Sequence, residues 1–275
     1  MPTGELQEKR DRLTAWLKSR GKLAVAFSGG VDSALLAAVA REVLGTRMLA
    51  LKAVSPLHPG REHRAALAFA AAFDIPLQVV VTEELRVLGF AENMPDRCYR
   101  CKKYLLPRLA EQAEKRGFDQ IVHGANLDDL NDYRPGYKAA CELGIAAPLI
   151  EAGLTKAEIR SLSREMGLPT WNRPSMACLA SRVPYGTRLT AGLLEGVAQA
   201  EGILYDLGFE AFRVRHHGRV ARIEVGPQQF ERLLDKVTRE TLVRRLRALG
   251  YDHVCCDLEG YVQGSLNRSL KEPDL

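Results

Sequence analysis

The chain has 275 residues, enough for one large domain or for two ordinary ones. Its 46% hydrophobic and 27% charged residues are typical of a folded protein, and its net charge of +5 is not clustered enough to indicate a nucleic-acid-binding surface. The longest apolar run, residues 34–40, is far shorter than the ~20 residues that span a bilayer, and the N-terminus lacks the apolar core of a signal peptide. We therefore expect a cytoplasmic protein without membrane or nucleic-acid partners, whose six cysteines serve metal binding, catalysis or packing.

The first half of the chain alternates predicted strands and helices. An amphipathic helix at residues 5–19 is followed by apolar strands at 23–27, 48–54, 77–82 and 120–124, with helices between them at 32–44, 61–73 and 99–116. This alternation predicts an α/β domain with a doubly wound parallel sheet. Ligands of such sheets bind beyond the carboxyl ends of the strands, where Ser28 and Gly124 would lie.

The composition and periodicity of the sequence change in the second half of the chain, from Asp132 onward. Residues 132–150 are rich in glycine and proline, and a capping-box pattern at Thr155 and Glu158 begins a predicted helix at 155–166. Residues 168–188 have little periodicity, which favours a functional loop. A helix at 190–207, strands at 212–216 and 219–225, a whole or broken helix at 227–248 and a strand at 251–257 predict a second, smaller α/β domain.

A short glycine-rich motif, SGGVDS, joins the first predicted strand to the next helix. Gly29 and Gly30 let the backbone approach a phosphate closely, and the helix offers free N–H groups and the positive end of its dipole. Ser28 and Ser33 can add hydroxyl groups, while Asp32 is suited to orient the loop or to hold Mg²⁺. The lysine of the G-x-x-x-x-G-K-[ST] motif is absent. An ordinary tight turn with serine and aspartate caps is the alternative.

This motif resembles the PP-loop of the ATP pyrophosphatases. In that superfamily the loop holds the leaving pyrophosphate while an acceptor oxygen attacks the α-phosphate of ATP and becomes an adenylate. The resemblance implies that ATP and Mg²⁺ are used, and that ATP is cut between its α- and β-phosphates.

Three cysteines have a sequence context that suggests chemistry. Cys98 and Cys101 form a C-x-x-C at the start of the third sheet helix, among basic residues that would favour thiolates. This spacing alone is compatible with zinc, with a redox disulfide or with two ligands of a cluster. Cys178 lies in the loop with Arg182 four residues later, and is a candidate nucleophile or ligand. The remaining cysteines are expected to be structural: Cys141, Cys255 and Cys256.

Five segments together resemble the LarE family over nearly the whole chain. They are RCYRCK, HGANLDDLNDYRPG, APLIEAGLTKAEIR, GLPTWNRPSMACLASRVPYGTRLT and FRVRHHGRVARIEV. The resemblance implies an ATP-dependent sulfurtransferase of nickel-pincer nucleotide cofactor biosynthesis. Such an enzyme adenylates the carboxylates of pyridinium-3,5-biscarboxylic acid mononucleotide and converts them to thiocarboxylates.

The family has two ways to supply sulfur. In one, a lone cysteine at the position of Cys178 gives up its own sulfur and becomes dehydroalanine. In the other, three cysteines bind a [4Fe-4S] cluster whose open iron carries the sulfide. Because Cys98 and Cys101 accompany Cys178, the sequence favours the cluster, with zinc on three thiolates as the rival. Cys178 is required on either route.

The resemblance also implies roles for other side chains and a domain organisation. The expected domains are the PP-loop domain at 1–170, an active-site loop at 171–188, and a sulfurtransferase and oligomerisation domain at 189–275. The resemblance further implies a small-molecule nucleotide substrate and a homo-oligomer, which we expect to be a hexamer. Arg213 and Arg215 share one strand face and could clamp a substrate phosphate, unless they are surface arginines. The remaining candidates are Asn126, Asp128 and Asp129 for ATP and Mg²⁺, Trp171, Ser181 and Arg182 around Cys178, and Glu201 and Glu224 for a metal.

Two other enzyme classes fit part of this pattern. A tRNA thiolation enzyme would use the same adenylation, but no RNA-binding module is recognisable in the sequence. An ammonia-using amidation enzyme of the PP-loop superfamily would need none of the three cysteines.

Overall fold

The computed structural model describes residues 4–131, 135–174, 177–262 and 264–270. The chain forms two compact units: unit 1 comprises Met1–Val87 and Asp96–Met176, and unit 2 comprises Leu88–Pro95 and Ala177–Leu275. Asp132 and the chain ends at residues 1 and 275 lie outside the described residues, as do residues 175 and 176 of the predicted loop.

Unit 2 takes residues 88–95 from the first half of the chain. The reason is a set of backbone contacts: Leu189 N donates to Ala91 O at 2.7 Å, and Gly186 N donates to Asn93 O at 3.1 Å. The Asn93 side chain adds a bond from Nδ2 to Pro184 O at 2.8 Å. Pairing of this kind between segments far apart in sequence leaves no periodic signal, so sequence patterns do not predict it.

Unit 1 confirms the predicted doubly wound parallel sheet. Its strands lie in the order β3-β2-β1-β4, and every pairing between them is parallel. The elements of unit 1 are α1 (Gly4–Lys18), β1 (Leu23–Ala26), α2 (Val31–Leu44), β2 (Met48–Val54), α3 (Gly60–Ala72), β3 (Leu77–Val81), α4 (Arg97–Glu114), β4 (Ile121–His123), α5 (Pro135–Glu142), α6 (Pro148–Glu151) and α7 (Lys156–Glu165). The sequence did not predict α5 and α6, because each has a proline where its first turn begins, and proline is also a turn signal.

The sheet carries helices on both faces, as the apolar pattern of β1 requires. Leu23 and Val25 face the core cluster built with α1, α2 and α7, whereas Ala24 faces the cluster built with α4. Helix α2 is buried over most of its length because its small side chains fill the space beside the sheet. Because helices cover both faces, the connecting loops lie at the carboxyl edge of the sheet.

The strand order creates a switch point at the centre of the sheet. From β1 the chain winds outward to β2 and β3, and it then returns to place β4 on the other side of β1. The last residues of these central strands are neighbours, with Ala26 paired to His123. The loops that follow β1 and β4 therefore diverge at one point, which is where doubly wound sheets bind ligands.

Unit 2 confirms the predicted second, smaller α/β fold. Its strands lie in the order β5-β6-β7, with β5 antiparallel and β7 parallel to β6. Its elements are α8 (Ala191–Asp206), β5 (Phe212–His217), β6 (Val220–Val225), α9 (Phe230–Leu234), α10 (Lys236–Ala248) and β7 (His253–Cys256). The helix expected at 227–248 is broken at Asp235, whose side chain accepts from Thr238 N at 3.1 Å and so caps α10. None of the helices in the described ranges is long and apolar enough to cross a membrane.

Candidate functional site

The phosphate-loop motif lies between β1 and α2, as predicted. The N-cap of α2 is Gly30, which has no side chain to satisfy the first N–H groups of the helix. The serine hydroxyls instead brace the loop: Ser28 Oγ lies 2.9 Å from Ser33 Oγ, Gly30 N donates to Ser28 Oγ at 3.2 Å, and Gly29 N donates to Ser33 Oγ at 3.2 Å. The loop thus presents a helix N-terminus in a conformation that its own side chains maintain, which is the arrangement that binds an anion.

Two glycines are needed at this edge of the sheet. Gly29 has φ = +90°, and a Cβ added there would lie 2.9 Å from Ala66 Cβ on α3. A Cβ added to Gly124, after β4, would lie 3.0 Å from Ser33 N, at the start of α2. The loop is therefore pressed against its neighbours on both sides, and only glycine allows both approaches.

Two other segments of unit 1 meet Asp32 in the first turn of α2. Its Oδ1 accepts from Asn126 Nδ2 at 3.2 Å, and its Oδ2 forms an ion pair with Lys156 Nζ at 2.5 Å. Asp129 Oδ2 accepts from Asn126 N at 3.1 Å, and Asp128 Oδ2 accepts from Lys156 N at 2.6 Å. The structure therefore brings the predicted Asn126, Asp128 and Asp129 to the phosphate loop.

Sequence reasoning missed Lys156, although a signal was present. The predicted capping box is confirmed: Thr155 Oγ1 accepts from Glu158 N, and the Glu158 carboxylate accepts from Thr155 N. This cap fixes the start of α7, so the residue that follows it is held in place. Lys156 is that residue, and its side chain reaches Asp32.

A second lysine at the site, Lys52 on β2, was also missed. Its Nζ donates to Ser28 O at 2.9 Å, and burial lowers its pKa. Burial, followed by the charge of Lys52, lowers the pKa of the neighbouring His58 to about 4. Burial lowers the pKa of His123, at the end of β4, to about 4 as well. Both histidines are therefore neutral near pH 7, which leaves the positive charge at this edge to the lysines.

The C-x-x-C lies at the start of α4, as predicted. Cys98 is exposed and Cys101 is half-buried, and their spacing puts them on neighbouring positions of one helix face. Carboxylates neutralise part of the predicted basic surroundings. Arg100 pairs with Asp96 at 2.8 Å, and Lys103 pairs with Glu142 at 2.7 Å.

The third candidate cysteine, Cys178, belongs to unit 2. It is half-buried and directly precedes the 3₁₀ helix Leu179–Arg182. Ser181 Oγ donates to Cys178 O at 2.9 Å, while Arg182 Nη1 donates to Ala177 O at 2.7 Å and to Cys178 O at 3.2 Å. Ser181 and Arg182 therefore hold the backbone around Cys178, and this was not evident from sequence.

Two buried ion pairs lie under this loop in unit 2. Arg182 binds Glu201 through Nε to Oε1 at 2.8 Å and Nη2 to Oε2 at 3.1 Å. Arg215 binds Glu224 in the same way, with both contacts at 2.8 Å, and its Nη1 donates to Ser181 O at 2.7 Å. The two carboxylates that sequence reasoning considered for a metal are therefore both engaged by arginines, and a metal role for them stays a prediction.

Two further predicted residues, Arg213 and Trp171, occupy different surroundings. Arg213 Nη2 donates to the Tyr261 hydroxyl at 3.2 Å, and burial, followed by the charge of Arg182, lowers the pKa of Arg213. Trp171 lies in unit 1 with an exposed ring, and the Arg164 guanidinium lies 5.0 Å from the ring centroid. Across the ranges that the structure describes, no group of three or more His, Cys, Asp or Glu side chains is placed to hold a metal ion.

Comparison with known proteins places these features in a family. The family model described as NAD synthase matches residues 6–101. The chain is 36% identical over 271 residues to the pyridinium-3,5-bisthiocarboxylic acid mononucleotide synthase of Lactiplantibacillus plantarum, and the match covers 98% of each chain. The chain belongs to the family of that synthase.

Two more relatives align with this synthase-family chain over most of its length. An uncharacterized protein of Synechocystis sp. is 40% identical over 265 residues, which cover 96% of this chain and 99% of the relative. An uncharacterized protein of Methanocaldococcus jannaschii is 28% identical over 240 residues, which cover 87% and 90% of the two chains. The match to the synthase spans 271 of the 275 residues, so it includes both the phosphate loop and the Cys178 loop.

Proposed function

We propose that this protein is an ATP-dependent sulfurtransferase of nickel-pincer nucleotide cofactor biosynthesis. It adenylates the carboxylates of pyridinium-3,5-biscarboxylic acid mononucleotide and converts them to thiocarboxylates. The observation that carries the proposal is the phosphate loop at the switch point of unit 1 in a chain that is 36% identical over 98% of its length to a synthase of the bisthiocarboxylic acid product.

The phosphate loop would perform the adenylation half of the reaction. The free N–H groups of α2 and the residues Ser28–Ser33 would hold the pyrophosphate moiety of ATP. A substrate carboxylate oxygen attacks the α-phosphorus, the bond to the bridging oxygen of pyrophosphate breaks, and an acyl adenylate results. We assign Mg²⁺ to Asp32 and Asp129, whose oxygens suit a hard cation, and Mg²⁺ would offset the charge of the leaving pyrophosphate.

Unit 2 would supply the substrate-binding and sulfur-transfer half. We propose that Arg213 and Arg215 bind the substrate phosphate, because both lie on the same face of β5. Ser181 and Arg182 would fix the conformation of the loop that carries Cys178, through the contacts to its carbonyl. Glu201 would orient Arg182, and Glu224 would orient Arg215, through their ion pairs.

For the sulfur source we propose a [4Fe-4S] cluster on Cys98, Cys101 and Cys178. The support is the start of α4, where the exposed Cys98 and the half-buried Cys101 are three residues apart and can face one metal group, together with the partly accessible Cys178. When bound, the cluster would supply a sulfide that displaces AMP from the adenylate.

The rival route uses Cys178 alone. Its thiolate would attack the adenylate carbonyl and expel AMP to give a thioester. Loss of the α-proton would then break the Cβ–S bond, which leaves a thiocarboxylate on the substrate and dehydroalanine in the chain. Anaerobic purification with iron and sulfide analysis separates the routes. Iron and sulfide bound to the chain support the cluster, and iron-free protein whose mass is lower by one H₂S after turnover supports the rival.

One experiment tests the function as a whole. Purified protein is incubated with ATP, Mg²⁺, a sulfide source and the dicarboxylate mononucleotide, and AMP, pyrophosphate and thiocarboxylate are quantified. Wild-type protein is expected to form all three. Cys178→Ala is expected to retain ATP–pyrophosphate exchange, because adenylation needs no thiol, but to form no thiocarboxylate. Unchanged thiocarboxylate formation by Cys178→Ala would contradict the proposal.

A second candidate, an ammonia-using amidation, is favoured by the NAD synthase family model that matches residues 6–101. Amidation would replace the adenylate by an amide and would not depend on Cys178. The same assay with ammonium in place of sulfide would reveal it.

We also propose a cytoplasmic homo-oligomer, with a hexamer as the expected assembly. Light scattering coupled to size-exclusion chromatography measures its mass directly.

A further inference from the structure

The lysine that a phosphate-binding loop of the Walker type carries within its own sequence is absent here. Within unit 1, however, a lysine ammonium lies against the loop from a neighbouring strand. Lys52 belongs to β2, which pairs with β1 through Ala26 and Leu51, and its Nζ donates to Ser28 O at 2.9 Å. The strand pairing holds Lys52 at the position where the loop begins.

Lys52 is buried at an unusual cost. Only 3% of its surface is exposed, and burying an ammonium is unfavourable unless an opposite charge or several hydrogen-bond acceptors compensate. Of the described carboxylates, none forms a salt bridge with Lys52; the charge of Glu62 raises the pKa of Lys52, but burial outweighs it and the net shift is downward. The carbonyl of Ser28 accepts one of its three N–H groups.

The other groups around Lys52 do not supply the missing negative charge. His58 is neutral near pH 7, because burial and the charge of Lys52 lower its pKa to about 4. Lys156, the other lysine at the loop, is already paired with Asp32. Lys52 therefore differs from Lys156, because no carboxylate among the described residues forms a salt bridge with it and its ammonium contacts the loop that precedes α2.

We propose that Lys52 compensates the charge of the pyrophosphate moiety of ATP, in place of a lysine within the loop. The inference rests on the proposed use of ATP by this site. The bond to Ser28 O fixes the ammonium relative to the loop, and its two remaining N–H groups are available to phosphate oxygens. A polyanion bound in the loop would remove the cost of burying Lys52. The expected ligand class is therefore a nucleoside triphosphate or inorganic pyrophosphate, and not a nucleoside monophosphate.

The test compares the binding of ATP, inorganic pyrophosphate and AMP to wild type, Lys52→Met and Lys52→Arg by calorimetry with Mg²⁺ present. Lys22→Met is the matched control, since Lys22 is an exposed lysine before β1, at the opposite end of that strand. Loss of two charge-assisted hydrogen bonds predicts that Lys52→Met weakens the binding of ATP and pyrophosphate roughly 100-fold or more, with AMP binding changed less than about threefold. Lys52→Arg should retain part of the affinity, and Lys22→Met all of it.

The pH dependence gives a second readout that does not need Lys52→Met to fold. Burial lowers the pKa of Lys52, whereas arginine stays charged at every accessible pH. The affinity of wild type for pyrophosphate, divided by that of Lys52→Arg, should therefore fall as the pH is raised from 7 to 10. The ionisation of pyrophosphate itself cancels in this ratio.

Three results would overturn the inference. The first is a folded Lys52→Met that binds ATP and pyrophosphate as wild type does. The second is a Lys52→Met that loses as much affinity for AMP as for ATP, which would limit Lys52 to shaping the loop, and the third is a wild-type to Lys52→Arg affinity ratio for pyrophosphate that does not change with pH. Wild-type protein that binds no ATP would instead count against the proposed function.

Discussion

Replacing Glu201 by alanine should strongly destabilise unit 2. The side chains of Arg182 and Glu201 are only 2% and 1% exposed. The carboxylate accepts from Arg182 Nε at 2.8 Å, from Arg182 Nη2 at 3.1 Å and from Val214 N at 3.3 Å. Its removal breaks a buried ion pair from one side, for which the usual cost is about 3–5 kcal/mol. Arg182 keeps its bonds to Ala177 O and Cys178 O, so we expect a value near the lower limit, about 3 kcal/mol.

The assay is urea unfolding of Glu201→Ala followed by far-ultraviolet circular dichroism, in protein dialysed against EDTA. The control is Asp252→Ala, which breaks a pair with Arg219 whose side chains are 44% and 75% exposed, so its loss should leave the free energy of unfolding nearly unchanged. A double variant, Arg182→Met with Glu201→Leu, should regain most of the loss, because replacing both members of a buried pair by apolar residues removes the uncompensated charge.

The opposite result has a clear meaning. If Glu201 served only as a metal ligand, its removal from metal-free protein would leave stability unchanged or raise it, since a carboxylate awaiting a cation is itself buried at a cost. A free energy of unfolding for Glu201→Ala within about 1 kcal/mol of wild type would therefore refute the reasoning from the ion pair.

Three further predictions concern unit 1. Gly29→Ala should lower the free energy of unfolding by roughly 1–3 kcal/mol and weaken ATP binding, because a left-handed φ and a Cβ 2.9 Å from Ala66 Cβ both disfavour alanine there. Urea unfolding and calorimetry measure the two effects, and a variant that unfolds and binds ATP as wild type does would contradict the prediction. Thr155→Ala removes the capping box of α7 and should cost about 1 kcal/mol by thermal unfolding, whereas Thr155→Ser should cost little. Stability should fall as the pH drops from about 6.5 to 4, since the unfolded chain protonates His58 and His123 in that range while burial keeps the pKa of each at about 4 in the folded chain. His58→Gln should flatten the pH dependence of the urea midpoint, and an unchanged slope would exclude His58 as its source.

The sequence by itself determined the features that depend on neighbouring residues. Alternating apolar runs and helical periods predicted the parallel sheet of unit 1 and the smaller α/β fold of unit 2, because backbone geometry imposes these periods locally. SGGVDS and the capping box at Thr155 were recognisable for the same reason, since the hydrogen bonds that define each motif join residues only a few positions apart in the sequence. The proline-initiated helices α5 and α6 were missed, because the same residue begins a helix or ends one according to its surroundings.

Only the tertiary structure decided which charges meet and which are buried. Lys52 and Lys156 are ordinary lysines in sequence, yet strand pairing and helix capping bring both ammonium groups to the phosphate loop. Glu201 and Glu224 read as possible metal carboxylates, whereas in unit 2 each accepts two hydrogen bonds from an arginine. The partner of a long charged side chain lies wherever the fold brings opposite charge out of water, and the desolvation that makes the pair matter does not exist until the chain has folded.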